Sequence, residues 1–167
     1  MQNNASDFYI DRYGKFILKP EHITSSPRHS AHAVCIHNHA LLLSRPADNP
    51  IWELPGGGIE DEESVSNTLI REIYEETGLI LSDAPTVKLI YSQNIKYYAD
   101  ERQLFWDYSM GFYALESEWD IRKDQWLAPG AGCIVQWAAI SQLHEFPICS
   151  SHFPAILLGI CHFSLVG

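Results

Sequence analysis

The feature that most constrains this chain is a glycine-rich turn that leads into a helix bearing three glutamates. A proline is followed by three glycines, Gly56 to Gly58, whose lack of a Cβ atom lets the backbone turn tightly and approach a ligand closely. Ser64 is a favourable N-cap and Gly78 is favourable just beyond a C-terminus, so the sequence predicts a helix over residues 65–77. A loop suited to close approach therefore ends at the start of a helix.

Two arcs of the predicted helix have different chemistry. Aliphatic residues at helical spacing predict a buried face made of Val65, Leu69, Ile70 and Ile73. An adjoining arc holds three acids at positions i, i+3 and i+4: Glu72, Glu75 and Glu76. Like charges at this spacing destabilise a helix, and one arginine, Arg71, does not balance three carboxylates. A hard divalent cation with oxygen ligands would balance them, whereas the alternative is a solvated acidic face on an ordinary surface helix.

The full spacing resembles a family motif. From Gly57 the chain continues with five residues, Glu63, seven residues, Arg71-Glu72-Ile73, one residue, Glu75-Glu76, one residue and Gly78-Leu79, which matches every fixed position of the Nudix box. The lead-in Trp52 to Gly57 and the segment Trp137 to Ile140 are similar to other parts of that family. The resemblance implies an α/β fold, the Nudix-type α/β/α sandwich with a mixed central sheet. It also implies metal-dependent hydrolysis of a nucleoside diphosphate linked to another moiety.

The resemblance also assigns roles to individual residues. It implies that Mg²⁺ or Mn²⁺ is held by four groups: the Gly56 carbonyl, Glu72, Glu75 and Glu76. Glu72 shares in metal binding or acts as the base, Arg71 orients the carboxylates, and Gly57 and Glu63 support the loop. No serine or cysteine with a paired base is evident, so water is the expected nucleophile and no covalent intermediate is expected.

Candidate substrate residues lie outside the box. Arg45 follows a predicted strand and is a candidate for contacting a substrate phosphate, with a solvated arginine as the alternative. Tyr97 and Tyr98 lie in a predicted loop over residues 93–103 and are candidates for stacking on a base, with ordinary strand residues as the alternative. Family members that act on dinucleoside polyphosphates often have tyrosine at the position of Tyr97. The proline that ADP-ribose hydrolases commonly show slightly earlier is absent.

The substrate and any further acid stay open. Many relatives have an acid just before the last strand, where this chain has Ala131 to Gln136. The substitutes considered are Glu101, Glu118 and Asp124. Substrates compatible with the resemblance are a nucleoside triphosphate, a dinucleoside polyphosphate, ADP-ribose or a similar conjugate. The alternative function is a non-catalytic Nudix-fold module that binds or senses a nucleotide, although such modules often lack the box glutamates that are all present here.

Charge narrows the class of partner. The chain has a net charge of −10, and the acids of the box account for more than half of it. No basic stripe is present to displace counterions from phosphates, so a nucleic-acid surface is not expected and RNA decapping fits poorly. A small nucleotide bridged through metal is the expected partner. The eight histidines lack zinc-ligand spacing, so ordinary loop and turn histidines are favoured.

Length and composition favour a single Nudix hydrolase domain over residues 1–167, with residues 1–28 as an N-terminal extension of short strands. Extra strands of this kind, expected at 8–10 and 16–18, recur in dimeric members of the family, so a homodimer is a candidate. The four cysteines lack ligand spacing. No apolar segment resembles a signal peptide or a bilayer span, so a cytoplasmic location without a membrane partner is expected.

The rest of the pattern alternates strands with helices. The predicted strands are 32–36, 40–44, 87–91, 104–115 and 134–138. The first two are expected to pair around a turn at 37–39. A long connection is expected over 116–133, and an apolar closing helix over 153–163.

Overall fold

In a computed structural model of the chain, the structure describes residues 7–81, 85–116 and 132–166. The strands within these ranges are β1 (Phe8–Ile10), β2 (Phe16–Leu18), β3 (Ser26–Val34), β4 (Ile36–His37), β5 (Ala40–Pro46), β6 (Gly56–Gly58), β7 (Thr86–Ala99), β8 (Leu104–Glu116) and β9 (Cys133–Ala139). The helices are α1 (Val65–Thr77) and α2 (Phe153–Val166), and two short 3-10 turns cover Ile140–Glu145 and Ser150–His152.

The strands form two sheets. A six-stranded sheet has the order β2-β1-β7-β8-β3-β6, and a three-stranded sheet has the order β4-β5-β9. In the larger sheet β3 runs parallel to β8, whereas β7 and β6 run antiparallel to their respective partners β8 and β3. The predicted α/β fold with a mixed sheet is confirmed.

The box helix α1 has the predicted bounds. Ser64 is its N-cap, and its hydroxyl accepts a hydrogen bond from the backbone N–H of Asn67 at 3.2 Å. Gly78 follows the last turn in the left-handed conformation, with φ of 71°, which glycine adopts without steric cost. The local signals at both ends therefore coincide with the observed helix.

Two apolar clusters hold the sheets and helices together. Leu69 and Ile73 of α1 pack on Ala31 and Ala33 of β3 in one cluster. In the other cluster, Ile156 of α2 lies among side chains that face the opposite side of β3 and β8, including Val34 and Phe112. The alternation of side chains along β3 thus places one helix on each side of the larger sheet.

The predicted buried face of α1 is wrong at one position. Ile70 has 38% of its surface exposed, whereas Thr68 and Thr77 are fully buried beside Leu69 and Ile73. The buried arc is rotated relative to the prediction because Thr68 satisfies its hydroxyl within the box, by donating to Glu63 and Ser64. A satisfied hydroxyl costs little to bury.

The predicted pairing of residues 32–36 with 40–44 is also wrong. The hairpin exists, but it joins β4 to β5 through Asn38 and His39, both of which have positive φ. β3 begins earlier than predicted, at Ser26, and joins the other sheet between β6 and β8. Successive residues of β3 face opposite sides of the sheet, so one set packs against α1 and the other against α2. The sequence of β3 alone does not show which strands it pairs with.

A third correction concerns the predicted loop at residues 93–103. β7 continues to Ala99, and only Asp100–Gln103 connect it to β8. The extension is stabilised by cross-strand aromatic pairs, including Tyr97 opposite Trp106 and Tyr98 opposite Phe105. Tyr97 and Tyr98 are therefore strand residues.

The remaining predicted strands and the closing helix agree with the structure, whereas the long connection predicted over residues 116–133 lies almost entirely outside the described residues. The N-terminal strands have the predicted bounds, β9 covers the predicted last strand, and α2 extends the predicted closing helix to Val166. Phe8, Phe16 and Leu18 of the N-terminal hairpin are exposed apolar residues, but the homodimer stays a prediction. The four cysteines are not paired in disulfides. Within the described ranges, neither helix is long and apolar enough to cross a bilayer.

Candidate active site

Arg71 makes hydrogen bonds to most of the functional groups of the box. Its guanidinium donates two hydrogen bonds to Glu63, each at 2.9 Å, and a third to the carbonyl oxygen of Gly58 at 3.1 Å. It also donates to Glu72 at 2.8 Å and to Glu75 at 3.3 Å. The fork of Arg71 holds the pKa of Glu63 down, at about 2. Arg71 thus ties the glycine loop to the acidic face of α1.

Glu76 lies outside the group of side chains that Arg71 contacts. Its Oε2 atom accepts a hydrogen bond from the Ser44 hydroxyl at 2.8 Å and from the backbone N–H of Gly56 at 3.3 Å. Burial raises the pKa of Glu76 to about 8, and the charge of nearby Glu72 acts in the same direction, whereas the Ser44 hydroxyl opposes it. Glu76 is therefore a buried carboxylate at the glycine loop, and no cationic side chain of the described residues forms an ion pair with it.

Glu72 lies against the glycine loop. A Cβ atom at position 57 would overlap its carboxylate, so only glycine leaves this space open. Burial raises the pKa of Glu72, and the hydrogen bond and charge of Arg71 oppose that rise. Glu75, in contrast, has 51% of its side chain exposed and lies at the outer edge of the cluster.

The three box glutamates have the right chemistry for a hard cation. Each uses one carboxylate oxygen in hydrogen bonds to described residues and leaves the other for a ligand. A cation beside Glu76 would also offset the cost of burying its charge. Within the described residues, however, no three acidic, histidine or cysteine side chains are already gathered as a metal cluster. Instead, Glu72 and Glu75 accept hydrogen bonds from Arg71, and Glu76 accepts one from Ser44.

A cleft of about 180 Å³ begins at this loop. Gly56 and Gly57 form part of its wall, and the same-face residues Arg28 and His32 of β3 form another part. The aromatic lining consists of Tyr97, Trp106 and Tyr108. The cleft is therefore lined partly by the box loop and partly by apolar side chains. A concave site with this mixture is typical of small-molecule binding.

An ion cluster closes one side of the cleft. Arg12, from the N-terminal hairpin, is only 8% exposed. It lies 3.8 Å from a carboxylate oxygen of Glu53 and 3.3 Å from one of Asp100, and it forms a close ion pair with Glu101. The N-terminal hairpin therefore contributes a wall of the cleft, and Glu101 is engaged by Arg12.

Two predicted substrate residues are placed differently from expectation. Arg45 donates to the carbonyl oxygens of Pro46 and Asn49 and stacks on Trp52 at 5.0 Å, so its guanidinium serves its own loop. Tyr98 packs on Phe105 with ring centroids 4.8 Å apart. Neither side chain lines the cleft.

Tyr97 does line the cleft, although it is only 8% exposed. Its ring is stacked with that of Trp106, with centroids 6.1 Å apart. Two of the substitute acids, Glu118 and Asp124, lie outside the described residues.

Two buried histidines form the floor of the cleft. The His32 and His152 rings are 4.8 Å apart, and Nδ1 of His152 accepts a hydrogen bond from the backbone N–H of Leu54 at 3.0 Å. Burial lowers the pKa of both, that of His32 to about 4, so both are neutral at physiological pH. They are core histidines that shape the lead-in to the box.

Sequence reasoning missed three residues: Arg12, Arg28 and Ser44. Arg28 was within reach, because Arg28, Ser30 and His32 are polar at period two, and the neighbouring Ala31 and Ala33 are apolar. Arg12 and Ser44 carry no local signal. They reach the site only because distant strands are brought together by the fold.

Comparisons with known proteins agree with this geometry. The NUDIX domain family model matches residues 27–156. A MutT-like protein of Streptomyces ambofaciens is 42% identical over 67 residues, which cover 38% of this chain and 44% of that protein. A putative 8-oxo-dGTP diphosphatase of Bacillus subtilis (strain 168) is 34% identical over 90 residues, covering 54% of this chain and 58% of that protein. An RNA pyrophosphohydrolase of Tolumonas auensis is 33% identical over 75 residues, covering 44% and 42%. The chain thus spans only 42% to 58% of the length of these relatives.

Solved structures share the fold. The MutT Nudix hydrolase from Burkholderia pseudomallei has a TM-score of 0.58 at 21% identity, covering 80% of this chain and 98% of that one. The Nudix domain of NrtR from Shewanella oneidensis, solved with ADP ribose, has a TM-score of 0.61 at 18% identity, covering 84% and 90%. At such identities the similarity establishes the fold alone. Since the family match covers most of the sequence, the chain belongs to the Nudix family.

Proposed function

We propose that this protein hydrolyses a diphosphate (P–O–P) linkage in a nucleoside diphosphate linked to another moiety, by attack of water on phosphorus. The observation that carries the proposal is Glu76, a buried carboxylate held at the glycine loop by Ser44 and Gly56. A buried carboxylate without its own cation costs folding free energy, and such groups are concentrated at functional sites.

Each box residue then has a role. Glu72, Glu75, Glu76 and the Gly56 carbonyl would hold Mg²⁺ or Mn²⁺, which when bound neutralises the diphosphate and lowers the pKa of the attacking water. Glu72 is also the candidate base, because Arg71 and the loop fix its position. Glu63 fixes the orientation of Arg71 through two hydrogen bonds, and Arg71 in turn positions Glu72 and Glu75.

The cleft supplies the substrate side of the proposal. It opens beside Gly56 and Gly57, so it would take the nucleoside or the second moiety while the diphosphate lies at the box. Tyr97 belongs to the lining, whereas Arg45 and Tyr98 would contact the substrate only if it extended beyond the cleft. We further propose that residues 1–167 form one domain, because Arg12 of the N-terminal hairpin completes the cleft.

The relatives indicate which substrates to test. The names of two of them refer to 8-oxo-dGTP and to RNA, and the NrtR domain was solved with ADP ribose. The panel therefore includes nucleoside triphosphates with 8-oxo-dGTP, a dinucleoside tetraphosphate, ADP-ribose and 5′-triphosphorylated RNA. A non-catalytic nucleotide sensor is the second candidate, and it would bind one of these compounds without turnover.

The experiment is to incubate the protein with each compound in Mg²⁺ or Mn²⁺ and to separate the products by chromatography. Glu76→Gln is the paired variant, and it should lower turnover by at least about a hundredfold if it removes an essential ligand. A single turnover in ¹⁸O-labelled water should put the label on a product phosphoryl group. Binding without product from any compound would favour the sensor, and a trapped phosphoryl-enzyme would overturn the mechanism.

A further inference from the structure

Three arginines line the cleft, and they differ in how their charge is balanced. Arg12 lies among three carboxylates, those of Glu53, Asp100 and Glu101. Arg102 is exposed at the cleft mouth. Arg28 is half-buried, and no carboxylate of a described residue lies within 4.0 Å of its guanidinium nitrogens. Arg28 is therefore a cation of the cleft wall without a carboxylate partner in the described chain.

The guanidinium of Arg28 lies over an aromatic ring of the cleft. Its guanidinium carbon lies 4.4 Å from the centroid of the Trp106 ring. The Nε atom is buried and has no hydrogen-bond partner among the residues that the structure describes. A guanidinium over the face of an indole is attracted by the negative potential of the ring, and the N–H groups along the edge of the guanidinium can still donate to an anion. Such an edge matches the oxygens of a phosphate in geometry and charge.

The position of this guanidinium relative to the box limits what it can contact. A Cβ atom built on Gly58 would lie 2.7 Å from Nη2 of Arg28, so the guanidinium lies over Gly58. Gly56, whose N–H binds Glu76, is two residues away along the same short strand. At about 3.3 Å per residue, the separation is about 7 Å. Two phosphoryl groups that share one bridging oxygen are closer together than that.

We propose that Arg28 binds an anionic group of the substrate two groups removed from the phosphoryl group at Glu76. The protein would then favour substrates with three or more phosphates over a lone diphosphate between two sugars. This inference rests on the proposed hydrolysis and adds to it a substrate class and the residue that selects it.

The test compares two probes whose P–O–P bridges are replaced by P–CH₂–P, an analogue of ATP and an analogue of ADP-ribose. Binding of each in Mg²⁺ is measured by calorimetry for the wild type, Arg28→Gln, Arg28→Lys and Lys88→Gln. Lys88 is an exposed strand residue outside the cleft lining, so its variant removes the same charge without touching the site.

We expect Arg28→Gln to weaken binding of the ATP analogue about tenfold or more, the loss of one charge-assisted contact. Binding of the ADP-ribose analogue should change by less than about threefold, and Lys88→Gln should leave both within about twofold. Arg28→Lys keeps the charge but loses the planar fork, so it should show a smaller loss confined to the ATP analogue. Arg28→Lys also provides the comparison with the wild type if Arg28→Gln is too unstable to be titrated.

The outcomes separate this inference from the proposed function. If the wild type binds the ATP analogue with the expected dependence on Arg28 but hydrolyses nothing in the panel, the hydrolysis proposal fails and the anion contact stands. If the wild type hydrolyses panel compounds but the Arg28 variants lose equal affinity for both probes, or for neither, the inference is overturned. Failure of the wild type to bind the ATP analogue would overturn it as well.

Discussion

Replacing Glu76 with glutamine should stabilise the metal-free protein at neutral pH while it impairs the proposed reaction. Burial raises the pKa of this carboxyl from 4.5 to about 8. Because the folded-state pKa lies above the unfolded-state value, ionising Glu76 opposes folding. That cost is absent well below pH 4.5 and grows as the pH rises towards 8. Glutamine removes the charge and therefore the pH-dependent cost.

The size of the effect follows from the two pKa values. At pH 7 the linkage amounts to roughly 3 kcal/mol in the free energy of unfolding. The glutamine carbonyl can still accept the hydrogen bonds from Ser44 and Gly56, but its amide group needs a new partner. An unpaired amide hydrogen costs about 1 kcal/mol, which leaves a net gain of about 2 kcal/mol. For a chain of this length that corresponds to a rise of about 4–8 °C in melting temperature.

The assay is thermal unfolding in a chelator at pH 5, 6, 7 and 8. The difference between variant and wild type should fall below about 1 kcal/mol at pH 5, where the carboxyl is protonated in the folded state. Glu75→Gln is the matched control, since Glu75 lies on the same helix with half of its side chain exposed, and it should change stability by less than about 0.5 kcal/mol.

Two results would refute the reasoning. A metal-free Glu76→Gln protein that is less stable than the wild type at pH 7 would show that the carboxylate is not strained by burial. A difference that stays constant from pH 5 to pH 8 would show that its pKa is not raised. Adding Mg²⁺ or Mn²⁺ should then stabilise the wild type more than the variant, because only the wild type retains the buried carboxylate as a ligand.

Three other changes probe the same architecture. Gly57→Ala should displace the carboxylate of Glu72, and we expect kcat to fall at least about tenfold with helix content unchanged, measured by steady-state kinetics and circular dichroism. Glu63 has a folded-state pKa of about 2, so its pairing with Arg71 stabilises the fold above pH 4.5 and that contribution is lost as the pH falls through about 2. Urea unfolding of Glu63→Gln should lack this acid dependence, and an unchanged profile would contradict it. Tyr97→Ala should lower stability by about 3 kcal/mol in urea, since the ring is buried; an effect on KM alone would contradict its structural role.

Local features were predictable because their causes lie within a few residues. The bounds of α1 follow from the Ser64 hydroxyl and from the left-handed conformation of Gly78, both of which act on adjacent backbone groups. The hairpin turn at Asn38 and His39 has the same short-range origin. The box spacing placed Glu72 and Glu76 on one helix, next to a loop that only glycine can form beside them.

Other features depended on contacts between distant segments. The continuation of β7 to Ala99 rests on pairing with β8, and β3 belongs to the larger sheet because it lies between β8 and β6. Polar residues of this segment such as Asn94 and Lys96 indicate a loop on their own, but the strand continues because aromatic residues such as Tyr97 and Trp106 lie opposite each other in β7 and β8. Strand pairing of this kind is invisible within a single segment.

The sequence by itself determined which chemical groups the box carries, because the helix period and its caps are local properties of the chain. The tertiary structure decided how deeply each of those groups is buried and which hydrogen-bond partners it has. Ser44 and Gly56 hold Glu76 in a buried position, whereas Arg71 draws Glu72 and Glu75 to itself. The charge state of a carboxylate depends on its desolvation and on nearby dipoles and charges, and these are supplied by strands far away in the sequence.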